Sequence, residues 1–210
     1  MELVDILVPP IFEKSGKIKT LEQAWDDEDW IGTFNLWIVQ DDPVPALIYQ
    51  QRSPNSSWAP NKLDVTAGGH YRAGEKIYEG LREVKEELGR DYKVGDLAYL
   101  GRKLNVSPDT KGRIRQNVVD IFIVLDNSPL DSYRLEKAEV YAICACSIDK
   151  LIKTHTQKGY NFEVSGITSE GNRIRIKVSK NSFPYNWENY HFKIALLAER
   201  LVKGENSLVY

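Results

Sequence analysis

Glu83, Glu86 and Glu87 stand at i, i+3 and i+4 in the segment Leu81-Arg-Glu-Val-Lys-Glu-Glu-Leu88. On an α-helix that spacing turns three carboxylates to one side. Anions this close repel one another and raise each other's pKa unless a cation sits among them. A hard divalent ion with oxygen ligands, Mg²⁺ or Mn²⁺ in its place, is the natural compensation. Such an ion can neutralise nearby negative charge and polarise a bound water. Gly68 and Gly69 come shortly before, where bare backbone lets a carbonyl or amide approach the same ion or a phosphate. The plain alternative is a solvated helix face with the i,i+4 pairs Arg82–Glu86 and Glu86–Arg90, the usual meaning of an isolated acidic face. The double glycine and the placement of Arg82 beside Glu83 favour the metal-binding reading.

The glutamates need a helix to hold them. Ile77, Leu81, Val84 and Leu88 fall within roughly 60° of one another on a 3.6-residue wheel, so a helix is expected from Glu75 to Leu88. Gly89 is placed to cap it. Around it, Leu3–Val8 reads as an opening strand and Glu22–Trp30 as a short helix or an ordered loop. Thr33–Gln40 and Ala46–Gln51 read as a hairpin broken at Asp41-Asp42-Pro43. Ser53–Asn61 reads as a polar loop, and Leu63–Thr66 as a short strand running into the glycines. Strands are expected again over Leu97–Leu104, Arg113–Leu125 and the cysteine-bearing Val140–Cys146. A short helix opened by Ser147 follows. Tyr160–Val164 and Ile174–Val178 form a second hairpin, within an insertion of about residues 157–180. A closing helix after Asn186 packs Tyr190, Ile194, Leu197 and Leu201 on one face. The tally is α/β: a three-layer α/β/α sandwich around a mixed sheet, in one domain over residues 1–210.

The segment Gly68–Gly89 resembles the Nudix box: Gly, five residues, Glu, seven residues, then Arg-Glu-apolar-x-Glu-Glu-x-Gly-apolar. Gly69, Glu75, Arg82, Glu83, Val84, Glu86, Glu87 and Gly89 match it in order. Glu75 and Arg82 are separated by six residues instead of seven, and Arg90 replaces the final apolar residue. The short spacing turns Glu75 by about 100° on the helix, which puts its supporting role in question. The flanks Trp37-Ile-Val, Gln51-Arg-Ser-Pro-Asn, Leu63–His70 and Leu130–Val140 look like the branch of the superfamily related to isopentenyl-diphosphate isomerase.

The resemblance implies a Nudix-type pyrophosphohydrolase in which water attacks phosphorus of a nucleoside diphosphate derivative or a similar small diphosphate compound. It implies Mg²⁺ held by Glu83, Glu86 and Glu87 with the Gly68 carbonyl, and Arg82 orienting Glu83 through a salt bridge. Glu86 or Glu87 would accept the water proton, with Glu139 as another candidate; Glu139 is equally well an exposed residue before a strand. Arg52, between a strand and a polar loop, is suited to grip a phosphate and nearly as well to a surface ion pair. His70 either contacts phosphate or metal or makes a hydrogen bond within its loop. Trp58 reads better as a loop anchor than as a stacking platform. His155 and His191 receive no role.

Two other functions compete. An isomerase of the isopentenyl-diphosphate type needs an acid and a base on opposite sides of a carbon skeleton. Gly68 stands where the isomerases carry a cysteine, and Ile31 where they place a metal-binding histidine. A non-catalytic Nudix module usually loses box carboxylates, and none is lost here.

The composition sets the remaining bounds. The chain has 210 residues, 42% hydrophobic and 28% charged, with net charge −2 and its cations dispersed. Nothing points to bulk nucleic acid or membrane. Met1–Pro10 is acidic where a signal peptide would be basic. Cys144 and Cys146 share one face of a strand and read as buried free thiols of a reducing compartment, with the cytoplasm the default. The second hairpin would shape either the substrate pocket or a homodimer contact.

Overall fold

Alternating apolar positions set the strands, and polar turns join them. The computed structural model describes residues 2–184 and 188–210. Strands β1 (Leu3–Val8) and β2 (Glu13–Thr20) pair antiparallel. Helix α1 (Leu21–Asp26) follows. Thr20 and Gln23 cap its start reciprocally, the Thr20 hydroxyl accepting from Gln23 N–H at 3.2 Å and Gln23 Oε1 from Thr20 N–H at 3.2 Å. That cap fixes the turn which buries Trp25. Next come β3 (Trp30–Gln40), β4 (Ala46–Arg52), β5 (Leu63–Asp64) and β6 (Ala67–His70). Helix α2 (Leu81–Leu88) leads to β7 (Ala98–Pro108), β8 (Ile114–Leu125) and β9 (Val140–Ser147). The chain closes with α3 (Ile148–Thr156), β10 (Asn161–Thr168), β11 (Arg173–Ser179) and α4 (Tyr190–Val202).

The strands form one mixed sheet built around β3. β8 runs parallel to β3 from Trp30–Gln116 to Val39–Leu125. β1, β6 and β4 take successive stretches of the other edge, all antiparallel. Side chains of β3 therefore alternate between two layers. Phe34, Leu36 and Ile38 pack with Val84 and Leu88 of α2. Trp37 and Val39 pack with Leu151 of α3 and Ile194 and Leu197 of α4. Val4, Ile6, Ala24, Trp25 and Ile31 make a smaller third cluster beneath α1.

The structure adds to the sequence reading in several places and corrects it in one. The helix expected over Glu75–Leu88 begins only at Leu81, and Ile77–Gly80 forms a 3₁₀ turn instead. A Cβ on Gly80 would meet the Phe34 ring at 2.4 Å, so the glycine lets this turn press against the sheet. Strand β2, Glu-Lys-Ser-Gly-Lys-Ile-Lys-Thr, escapes an apolar pattern because it is a solvated edge strand. The hairpin β10–β11 lengthens the central sheet on β9, and Phe162, Ile176 and Val178 join the α3–α4 core. Asn186, expected to open the last helix, lies outside the described residues, and α4 starts at Tyr190. Cys144 and Cys146 are free and buried, their sulfurs 3.7 Å apart.

Candidate active site

A cavity of about 390 Å³ opens where the glycines of β6 meet α2 and the polar face of β3, β7 and β8. Its wall includes Gly68, Gly69, Glu83 and Glu87, and also Arg52, His70 and Glu139. Residues far apart in sequence are thus brought together.

Backbone without side chains makes the carboxylate wall. Gly68 and Gly69 pair with Asn35 and Phe34 in the sheet. Gly68 N–H donates to Glu87 Oε2 at 3.0 Å. Glu87 is only 3% exposed and Glu83 9%, so burial pushes Glu87 well above the carboxylate range and Glu83 up to about 7. The charge of Arg82, 2.9 Å from Glu83 Oε1, opposes the shift at Glu83. Glu139 and Glu83 add repulsion at Glu87.

Arg82 is the hub beside this wall. Its Nε donates to Glu75 Oε1 at 3.0 Å, its Nη1 to Glu86 Oε2 at 3.0 Å, and its Nη2 to the His70 carbonyl at 3.2 Å. Glu75 keeps this contact because it precedes the helix, so the altered spacing does not carry it around the helix axis. Glu86 stands apart from Glu83 and Glu87. Its side chain is 48% exposed, bound to Arg82 and Arg72, and outside the cavity wall.

Arg52 is held in place from several sides. Its Nε donates to the Trp58 carbonyl at 3.0 Å and its Nη2 to Ser56 Oγ at 2.7 Å, while Asp64 lies 3.6 Å from Nη1. Trp58 anchors the loop through Nε1 to Ser107 Oγ at 3.0 Å and also lines the cavity. His70 meets Trp25 edge-on at 5.6 Å, and burial drives its pKa down to about 3.

Sequence reasoning passed over Glu2, Trp25, Lys103, Arg115, Asn117, Tyr190 and His191, which all line the cavity. The signal for part of this set was the polar alternation Arg113-Ile-Arg-Gln-Asn, which places Arg115 and Asn117 on one face of β8. The hairpin β10–β11 contributes nothing to the wall.

The cavity's donors are oxygens, the type a hard divalent cation takes, although among the described residues no three acidic, His or Cys side chains stand close enough to cage one as they are. Glu2, Glu83, Glu87 and Glu139 offer carboxylate oxygens around one cavity, and two of these groups are buried against the cost of ionisation. Among the described residues no ion pair reaches Glu87. A cation there would supply the missing countercharge.

Comparison with known proteins places this geometry. The pattern described as NUDIX domain matches residues 32–163. An uncharacterized Nudix hydrolase of Clostridium acetobutylicum is 29% identical over 198 residues, spanning 90% of this chain and 94% of its own length. A solved structure from Deinococcus radiodurans superposes with a TM-score of 0.56 at 19% identity, covering 75% of this chain and 90% of that one. A NUDIX hydrolase from Alicyclobacillus acidocaldarius superposes with a TM-score of 0.53 at 13% identity, covering 86% and 97%.

Proposed function

We propose, since this chain belongs to the NUDIX domain family, that it cleaves a nucleoside diphosphate derivative or similar small diphosphate compound in a Mg²⁺-dependent reaction. The chain is a Nudix hydrolase, an enzyme of the pyrophosphohydrolase kind. The observation that carries the finer reading is the pair of buried carboxylates, Glu83 and Glu87, facing one cavity across Gly68 and Gly69.

Glu83, Glu87 and the Gly68 carbonyl would hold Mg²⁺, with Mn²⁺ as a substitute. Glu86 would join them by swinging its half-exposed side chain off Arg72 and Arg82, contacts that solvent makes cheap to break. When bound, the ion supplies charge neutralisation at the phosphates and a more acidic water. Arg82 holds Glu83 in register, itself steadied by Glu75. Arg52, already fixed by Ser56 and the Trp58 carbonyl, would present its guanidinium to a phosphate. His70, kept neutral by burial, would offer a hydrogen bond without adding charge. Glu87 or Glu86 would take the proton of the attacking water, with Glu139 at the rim as the other candidate.

We read residues 1–210 as a single domain, because the core under α3 and α4 runs from Trp37 to Leu208. Among the described residues no helix is long and apolar enough to cross a membrane. A homodimer through the β11 edge and a cytoplasmic location belong to the same proposal.

The test is a panel of nucleotide, nucleotide-sugar and isoprenoid diphosphates with Mg²⁺ in ¹⁸O-labelled water. Cleavage with label in a phosphate product is expected. No cleavage, or label on carbon, rejects the reading.

A further inference from the structure

The interior face of β7 and β8 changes character along its length. Toward α4 it is apolar, with Val119, Ile121 and Ile123 buried. Toward α1 it turns polar: Lys103 stands across from Val119 at the boundary, then Asn105 faces Asn117 and Ser107 faces Arg115. Polar side chains buried on a sheet face are costly unless something partners them.

Arg115 and Trp25 stand out in this patch. Each is 7% exposed, and the Arg115 guanidinium carbon lies 3.8 Å from the Trp25 ring centroid. Arg115 Nη2 donates to Ser57 Oγ at 3.0 Å. Its nearby carboxylate, Asp109, is 3.5 Å away and is held more closely, at 2.9 Å, by Arg113. The positive charge of Arg115 is therefore only partly countered. Among the described residues, Trp25 Nε1–H and Arg115 Nε–H are buried with no hydrogen-bond partner, and Asn117 Oδ1 on the same strand face is likewise unpartnered. All three side chains line the cavity, with His70 between Trp25 and the glycines beside Glu83. The Arg115 cation with its spare Nε–H, and the Trp25 N–H of the ring stacked on it, suit an anionic oxygen, and the bare Asn117 amide oxygen on the same strand face suits a hydroxyl or N–H. Trp25, on α1, lies before residues 32–163, the segment that the family pattern matches.

We propose that Trp25, Arg115 and Asn117 form a specificity subsite for a second anionic group of the substrate. That group is a phosphate or carboxylate, distinct from the diphosphate being cleaved, with a hydroxyl or N–H beside it. The subsite rests on the diphosphohydrolase reading for the identity of its occupant, and its binding can be measured without turnover.

Calorimetric titration in EDTA, with two matched pairs of compounds, tests it. UDP-glucose and UDP-glucuronate differ by one carboxylate, and NADH and NADPH by one phosphate. The anionic member of at least one pair should bind at least tenfold more tightly, and which pair it is separates carboxylate from phosphate. In Trp25→Phe, which keeps the ring and removes the N–H, and in Arg115→Gln, that ratio should fall to about twofold or less. Melting curves identify any variant that fails to fold, and Trp25→Phe, the milder change, then decides the question. Equal affinities within both pairs for the unaltered protein, or a ratio that survives Trp25→Phe, overturns the subsite. Failure of the hydrolase reading looks different: the affinity ratio persists while Mg²⁺ brings no cleavage of any diphosphate.

Discussion

The Glu83 carboxyl lies directly over the α-carbon of Gly69, where a Cβ would stand 2.3 Å from Glu83 Cδ. The carboxylate reaches the cavity only because that position is empty. Gly69→Ala should displace Glu83 at a stability cost of about 1–3 kcal/mol and reduce turnover on the order of 10²-fold. Thermal melts and steady-state kinetics on a substrate from the hydrolysis panel would check it. A variant with full activity would show that Glu83 need not hold this position.

Metal binding should be visible without a substrate. Mg²⁺ at a hundred times its dissociation constant should stabilise the fold by about 2.7 kcal/mol, read as a rise in melting temperature. Glu87→Gln should abolish most of that rise. It should not weaken the metal-free protein, because the amide replaces a carboxylate that burial disfavours in its charged form. An unchanged melting temperature in millimolar Mg²⁺ would remove the metal from the proposal.

Glu86→Gln separates a ligand from a bystander. If Glu86 joins the ion, the variant keeps its stability and loses turnover on the order of 10²-fold or more. Retained activity would leave Glu86 as a solvated partner of Arg72 and Arg82.

Arg82→Ala should cost both stability and rate. It strands Glu83 and Glu75, whose side chains are 11% and 16% exposed, so a loss of about 3 kcal/mol is expected. Turnover should fall about 10–100-fold through the loosened Glu83. Glu75→Gln, which leaves Arg82 in place, should have a smaller effect on both. Reversal of that order in melting and kinetic data would show that Glu75 holds the hub.

His191 should make the protein acid-sensitive. It is buried between Trp37, Tyr49 and Phe183, and burial lowers its pKa to about 3. Its unfolded value is near 6.5, so below that pH the unfolded chain binds a proton that the folded chain refuses. The His191 contribution is complete above about pH 6.5 and drains away by about 1.4 kcal/mol per pH unit toward pH 3. Denaturant melts from pH 7 to 5 should show this steepening, and His191→Gln should flatten it. Equal slopes in both proteins would contradict the assignment.

What the sequence made readable was local. The acidic face of α2, its cap at Gly89 and the hairpins all follow from short-range periodicity and turn residues. The burial of Glu87 does not: it depends on the glycines of β6 lying against α2, a contact between distant segments. Glu87 and Glu86 are neighbours on one helix, yet one faces the cavity and the other solvent, because the sheet edge cuts across the acidic face. Trp25, Lys103 and Arg115 escaped attention for a related reason. Each is ordinary in its own segment, and only the pairing of β7 with β8 beneath α1 brings them to one wall.

Strand β3 is hydrogen-bonded along one edge by β8 and along the other by β1, β6 and β4 in turn. Its amides over Thr33–Val39 should therefore exchange with solvent only in the rarest, global openings. The floor of the cavity, which includes Thr33 and Asn35 of this strand, is then as rigid as the molecule allows. Entry and exit of a ligand must be granted by the walls. α1 is a six-residue helix behind an exposed edge strand, and the polar loop carrying Ser56–Trp58 has no regular ladder of its own. Displacement of these peripheral pieces would govern access while the chemistry's foundation stays still.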